Sequence, residues 1–205
     1  MDAADTLDAV REASASGLER LGSDKLLVAV TGADLTSDAV REAAVTRERG
    51  RASALAAWAD ESEGAIADAF DAAASAASER ADRIPRDDVT TADAETDALS
   101  AHLETVDGTA EQIGAGLVAS PLVADRFYLQ VVSFFVNEAD EGSADAFREM
   151  RTAASDLDPA RDALAELDDE GRETARDAAV EAIDVAYEEY AETLTEMGLD
   201  PKPTC

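Results

Sequence analysis

The sequence predicts an all-α protein, a four-helix bundle of two hairpins joined by a crossover and accompanied by short helices. Apolar residues recur at three- and four-residue intervals almost without a break, while alternating strand-like runs are nearly absent. Glycine and proline fall where the periodic segments stop. Two long segments over residues 37–84 are matched by two over 121–197, with a polar stretch and a weaker helix between them. At 205 residues, residues 1–205 read as a single helical domain with a sizeable core.

The first helix is expected over residues 2–21, with Leu7, Val10, Ser14, Leu18 and Leu21 on one face and Gly22 as its stop. A short apolar helix follows at 25–31. A third starts near Ser37 and places Val40, Ala44, Arg47 or Glu48, Arg51, Leu55 and Trp58 on its inner line before ending around 62–64. The next carries Ile66, Phe70, Ala73, Ala77, Arg80 and Ile84, and Pro85 closes it. Residues 86–94 form the most polar connection. The crossover, 86–119, regains helical spacing at Leu99, Leu103, Val106, Ala110, Ile113 and Leu117, weakened by Gly108, Gly114 and Gly116.

Ser120-Pro121 reads as a helix start, with proline at the first helical position. From there a single helix is expected over 121–152, presenting Phe127, Val131, Phe134 or Phe135, Glu138, Gly142, Ala146 and Met150. Asp158-Pro159 opens a short helix to about residue 167. The last helix, 171–197, presents Ala179, Ile183, Tyr187, Tyr190, Leu194 and Met197, and Gly198 and Pro201 terminate it.

Charge narrows the functions open to such a bundle. Asp and Glu total 47 against 17 Lys and Arg, a net charge of −30. That disfavours nucleic acid and anionic membranes as partners. The acids are spread among periodic apolar residues rather than clustered, which points to a folded, salt-adapted (halophilic) protein and not to disorder. At molar salt the Debye length falls to ~3 Å, so self-repulsion is screened and the melting temperature should rise with salt. Cys205 is the sole cysteine, which excludes an internal disulfide or a cysteine metal cluster. Without a basic n-region or an apolar run near ~20 residues, a cytoplasmic location is expected.

Glu48, Arg51, Arg80 and Glu138 interrupt the inner lines with charge. Such interruptions mark either a metal site or ion pairs that satisfy one another. Ferritin-like carboxylate proteins hold two metals with a Glu from each of two helices and a Glu-x-x-His from each of the other two. Glu48 and Glu138 sit where lone carboxylate ligands could sit. His102 is the one histidine and Leu99 stands three residues before it, so no Glu-x-x-His exists. Ala77 and Arg80 occupy the inner i and i+3 positions of the second helix, while Glu181 with Asp184, or Glu189 with Glu192, offer carboxylates alone on the last. The arginines suggest a different solution, an interior network of Glu48, Arg51, Arg80 and Glu138 with guanidiniums in place of metal. Tyr128, Tyr187 and Tyr190 read as core or boundary aromatics whose hydroxyls need partners, and Trp58 as a packing anchor.

Four stretches carry a family resemblance: residues 134–141 (Phe-Phe-Val-Asn-Glu-Ala-Asp-Glu), 187–190 (Tyr-Glu-Glu-Tyr), the closing 198–205, and the Ala-Ala-Trp-Ala-Asp-Glu run ending at Glu61. In these the chain resembles the rubrerythrin-like proteins of halophilic archaea. The resemblance implies a ferritin-like bundle and, in typical members, a di-iron centre for peroxide reduction. This chain departs from it in lacking both Glu-x-x-His pairs and a cysteine-rich rubredoxin module. Glu48 and Glu138 match ligand positions, with Glu141 a weaker neighbour.

The expectation is therefore a non-catalytic, ferritin-like protein with degenerate di-iron ligands, acting as a binding or structural module without cofactor. Its metal site would be replaced by the Glu/Arg network, and a homodimer could form over the apolar stretch 127–136. The alternatives are a di-iron or dimanganese carboxylate oxidoreductase, with iron or manganese on Glu48 and Glu138, and an acidic helical adaptor or regulator of an unknown protein partner.

Overall fold

The computed structural model describes residues 2–85 and 96–201. The polar connection expected at 86–94 lies outside them, as do Lys202 and Cys205. Among the described residues every regular element is a helix. The first helical stretch divides at Ser14 into α1 (Ala3–Ala13) and α2 (Ala15–Leu21), rather than running unbroken over 2–21. Asp2 and Asp5 close a reciprocal capping box at the start of α1. The short α3 (Leu26–Val30) follows.

A close-packed hairpin comes next, formed by α4 (Ser37–Glu61) and α5 (Gly64–Arg83). The Thr36 hydroxyl caps α4 by accepting from the Ala39 N–H. The turn between the helices needs Gly64 at φ +63°, where a side chain is disfavoured. Val40, Ala44, Leu55 and Trp58 of α4 are buried as their spacing predicts, as are Phe70, Ala77 and Ile84 beside them. Leu55 has no exposed surface, and burial of such a side chain contributes roughly 2 kcal/mol. Trp58 meets Phe70 edge-on, with ring centroids 5.5 Å apart.

The crossover brings α6 (Ala98–Leu103) and α7 (Thr109–Gln112). It then passes without interruption through a π-helical segment, Ile113–Ala119, into α8 (Ser120–Asn137). Pro121 therefore lies inside a continuous helix and does not begin one. Lacking an N–H, Pro121 cannot bond the Leu117 carbonyl, and its ring crowds that turn. The chain widens instead: the Ser120 N–H reaches back five residues to the Ala115 carbonyl, which also accepts from the Ser120 hydroxyl at 3.0 Å. All seven residues of the π segment are buried.

The expected 121–152 helix is in fact a second hairpin, α8 packed on α9 (Glu141–Ala154). The break follows from local chemistry. Ala139 adopts a left-handed conformation, φ +58°. Asp140 then caps the new helix, its carboxylate accepting from the Ser143 N–H at 3.0 Å. Phe135 stacks on Phe147 across the hairpin at 5.2 Å. The short α10 (Asp158–Ala165) and the 28-residue α11 (Asp169–Glu196) complete the chain.

One hydrophobic cluster draws residues from every one of these helices except α7. The last helix, α11, packs on the π segment and on α1, α2, α6 and α7. Of the apolar stretch 127–136, Phe127, Tyr128, Val131 and Phe135 are buried and Val136 is exposed. No helix is long and apolar enough to cross a membrane among the described residues.

Candidate functional site

The polar centre of the fold is built on α4. Helical spacing points Glu48 inward between Ala44 and Leu55, and its partners come from helices distant in sequence. From α5, Arg80 donates through Nη2 to Glu48 Oε2 at 2.8 Å. From α8, the Tyr128 hydroxyl donates to Oε1 at 2.7 Å. Glu48, Arg80 and Tyr128 are 4%, 5% and 1% exposed, so these are charge-assisted bonds shielded from water. Burial pushes the Tyr128 hydroxyl well above its usual pKa, and the charge and hydrogen bond of Glu48 push it the same way. It remains a protonated donor across the physiological range.

Arg51 lies one turn beyond Glu48 on the same helix, and it makes no hydrogen bond to either carboxylate oxygen. Its Nε and Nη1 atoms are buried without a hydrogen-bond partner, as is Nε of Arg80. Burial lowers the Arg51 guanidinium from 12.5 to about 10, with Arg80 lowering it further and Glu48 opposing both. It is still a cation at neutral pH. Two guanidiniums therefore lie in the field of one interior carboxylate, which pairs directly with Arg80 and not with Arg51.

A second polar group flanks this centre. Arg47 approaches Asp97 at 3.7 Å and Glu189 at 3.8 Å, and its guanidinium lies over the Phe127 ring at 5.1 Å. Asp97 caps α6 by accepting from the Ser100 N–H and hydroxyl, while Glu189 of α11 accepts from the Ala98 N–H at 2.9 Å. Burial raises the Glu189 carboxyl pKa, opposed by Arg47 and by that N–H. Arg47 thus ties α4 to the crossover and to the last helix.

Of the four residues expected to form the network, the structure brings Glu48, Arg51 and Arg80 together and leaves Glu138 out. Glu138 is exposed at the C-terminal cap of α8, because the chain turns there instead of continuing as helix. Glu141, in the first turn of α9, is exposed as well. A cation does meet this turn, but two residues on: Arg41 pairs with Asp140 at 3.4 Å and donates to the Ser143 hydroxyl at 3.0 Å. Glu181, Asp184 and Glu192 face solvent, and His102 is half-buried. Among the described residues no group of three or more His, Cys, Asp or Glu is placed to hold a metal ion. Tyr128 is the member that sequence reasoning did not assign to the site, and the signal for it was a hydroxyl in an apolar stretch that required a partner.

Two hollows adjoin this centre. A cavity of about 40 Å³ is walled by Arg47, Arg51, Ser100, Ser120, Phe127 and Tyr128, among others. On the other side of Arg47 and Phe127, a cleft of about 530 Å³ opens between α3, α4 and α11. No known protein family, curated protein or solved structure matches this chain.

Proposed function

We propose that this chain is a non-catalytic, ferritin-like helical protein that serves as a binding or structural module. The place where a metal would sit is taken by protein cations. The observation that carries this reading is the state of Glu48: each of its oxygens accepts from a protein donor, and guanidiniums lie on α4 and α5 beside it. A divalent cation there would meet one carboxylate already engaged and two fixed positive charges. Two further features support the reading. The all-helical class and the α4/α5 hairpin are compatible with a ferritin-like ancestor, although the second hairpin pairs α8 with α9 and not with the last helix, and α11 lies against the π segment and α1. The cleft beside Arg47 has the volume of a small-molecule site, which favours a binding role.

Metal analysis of the full chain after purification tests the proposal. It expects iron and manganese far below one per chain, with no change in Glu48→Ala or Glu138→Ala. Stoichiometric metal that disappears in either variant would overturn it in favour of a carboxylate oxidoreductase.

A further inference from the structure

The larger hollow, the cleft of about 530 Å³ between α3, α4 and α11, is walled by faces that helical spacing aligns. On α4, Ala39, Glu42, Ala43, Thr46 and Arg47 fall at i, i+3, i+4, i+7 and i+8, and on α11, Ala186, Glu189, Tyr190 and Thr193 fall at i, i+3, i+4 and i+7. Leu21, Leu26, Val30, Val123 and Phe127 add apolar wall. The volume lies within the ~300–1,000 Å³ of small-molecule sites, and such sites pair an apolar lining with a few polar groups that fix orientation.

Charge decides what such a guest carries. Among the described residues the wall holds three carboxylates, Glu42, Asp97 and Glu189, against one cation, Arg47. Arg47 stands between Asp97 at 3.7 Å and Glu189 at 3.8 Å, so its charge is already answered and the cleft disfavours an anion. Glu42 differs from the other two acids: it is half-buried and has neither a hydrogen bond nor an ion pair among the described residues. The hydroxyls of Thr46, one turn further along α4, and of Thr193 on α11 are likewise without a hydrogen bond there. These oxygens accept, and a protonated amine brings donors and positive charge. Five residues, about 7.5 Å of helix rise, separate Glu42 from Arg47, so an ammonium group can meet the first while standing clear of the second. A metal ion fits less well, since no group of three or more His, Cys, Asp or Glu is placed to hold one among the described residues and much of the wall is apolar. The net charge of −30 adds a long-range attraction for cations.

We propose that this cleft binds one small organic cation, a protonated amine with an apolar body, its ammonium group on Glu42 and its body against the apolar wall. The proposal rests on the reading of the chain as a binding module, and its test separates the two. Cyclohexylammonium, cyclohexanol and cyclohexanecarboxylate share one body and differ in charge, and calorimetry measures their binding to the full chain at neutral pH and fixed ionic strength. The ammonium should bind at one per chain and most tightly, the alcohol more weakly and the carboxylate not at all. Glu42→Gln should weaken the ammonium about tenfold or more and leave the alcohol unchanged. Glu61→Gln, which removes the same charge from an exposed position at the far end of α4, should change neither, and Ala43→Phe should block both by filling the cleft. No saturable binding, equal binding of all three probes, a tighter carboxylate, or an ammonium affinity untouched by Glu42→Gln would overturn the amine site. If Ala43→Phe does not fold, the comparison of Glu42→Gln with Glu61→Gln decides alone. Metal analysis of the same preparations keeps the two readings apart. A metal-free chain that binds no amine loses the amine site and keeps the Glu48 network, whereas a chain that binds the amine and also holds stoichiometric metal lost in Glu48→Ala keeps the amine site and loses the non-catalytic reading.

Discussion

Because two guanidiniums lie in the field of one carboxylate, the three charged members of the centre should differ sharply in what their removal costs. Glu48→Gln keeps the shape but leaves Arg51 and Arg80 buried with no counter-charge, a loss of about 3–5 kcal/mol. At about 2–4 °C per kcal/mol for a chain of this size, the melting temperature should fall by about 6–20 °C. Arg80→Met breaks the 2.8 Å bond to Oε2, but Arg51 still acts on Glu48 from one turn away. Its cost is therefore closer to that of one charge-assisted hydrogen bond, about 1.5–3 kcal/mol. Arg51→Met removes a guanidinium with two buried, unpaired nitrogens and should be neutral or stabilising. The double variant Glu48→Gln/Arg80→Met should be more stable than Glu48→Gln alone, since one stranded cation leaves with its partner. Thermal and urea unfolding at fixed ionic strength measure all four. If Arg51→Met costs as much as Glu48→Gln, or Glu48→Gln costs under about 1 kcal/mol, the one-carboxylate account is wrong.

Tyr128→Phe should cost about 1.5–3 kcal/mol by leaving Glu48 Oε1 without its donor; a change within error in urea unfolding would mean that water replaces the hydroxyl. Gly114→Ala should destabilise strongly, because a Cβ there would lie 2.0 Å from the Ala175 carbonyl oxygen of α11 and backbone cannot swing aside; an unchanged melting temperature would contradict that packing. Glu189 titrates above its usual 4.5 because burial outweighs Arg47. Its native state then holds the proton more tightly than the unfolded chain does, and the resulting stability is present below pH 4.5 and lost as pH rises through the folded value. Relative to Glu189→Gln, the unaltered protein should therefore lose stability as pH rises from 4.5, and a gain over that window would show that Arg47 dominates instead.

The helical class was legible because burial on amphipathic helices leaves a period in the sequence. The α4/α5 hairpin and the inward placing of Arg80 follow from that period, which left Arg47 and Glu48 as alternatives on the inner line of α4; the structure buries Glu48. Glu138 was misplaced by the same reasoning. The spacing Phe127, Val131, Phe135, Glu138 continues at helical intervals past the real end of α8, and the stop depends on Ala139 taking a left-handed conformation that alanine does not advertise. The capping side chain of Asp140 was the available signal. Read as a helix N-cap, it would have ended α8 before Asp140 and taken Glu138 off the inner line.

The crossover was misread for a related reason, since residue propensities were taken at face value where close packing overrides them. Gly114 and Gly116 lower helix propensity, and a proline soon after them suggests a boundary. In the fold these residues serve the approach of neighbouring helices. Gly114 lets the chain come against the Ala175 carbonyl of α11, and Gly116 lets the Trp58 ring lie where a Cβ would be 2.5 Å away. Glycine is required there by contacts from distant parts of the chain, and Pro121 is accommodated by a π-helical widening that no local pattern announces. The consequence reaches the polar centre. Tyr128 lies two turns beyond Pro121 on the same continuous helix, so the π segment, pinned by its glycines between α11 and Trp58, helps to set the register that delivers the tyrosine hydroxyl to Glu48 Oε1.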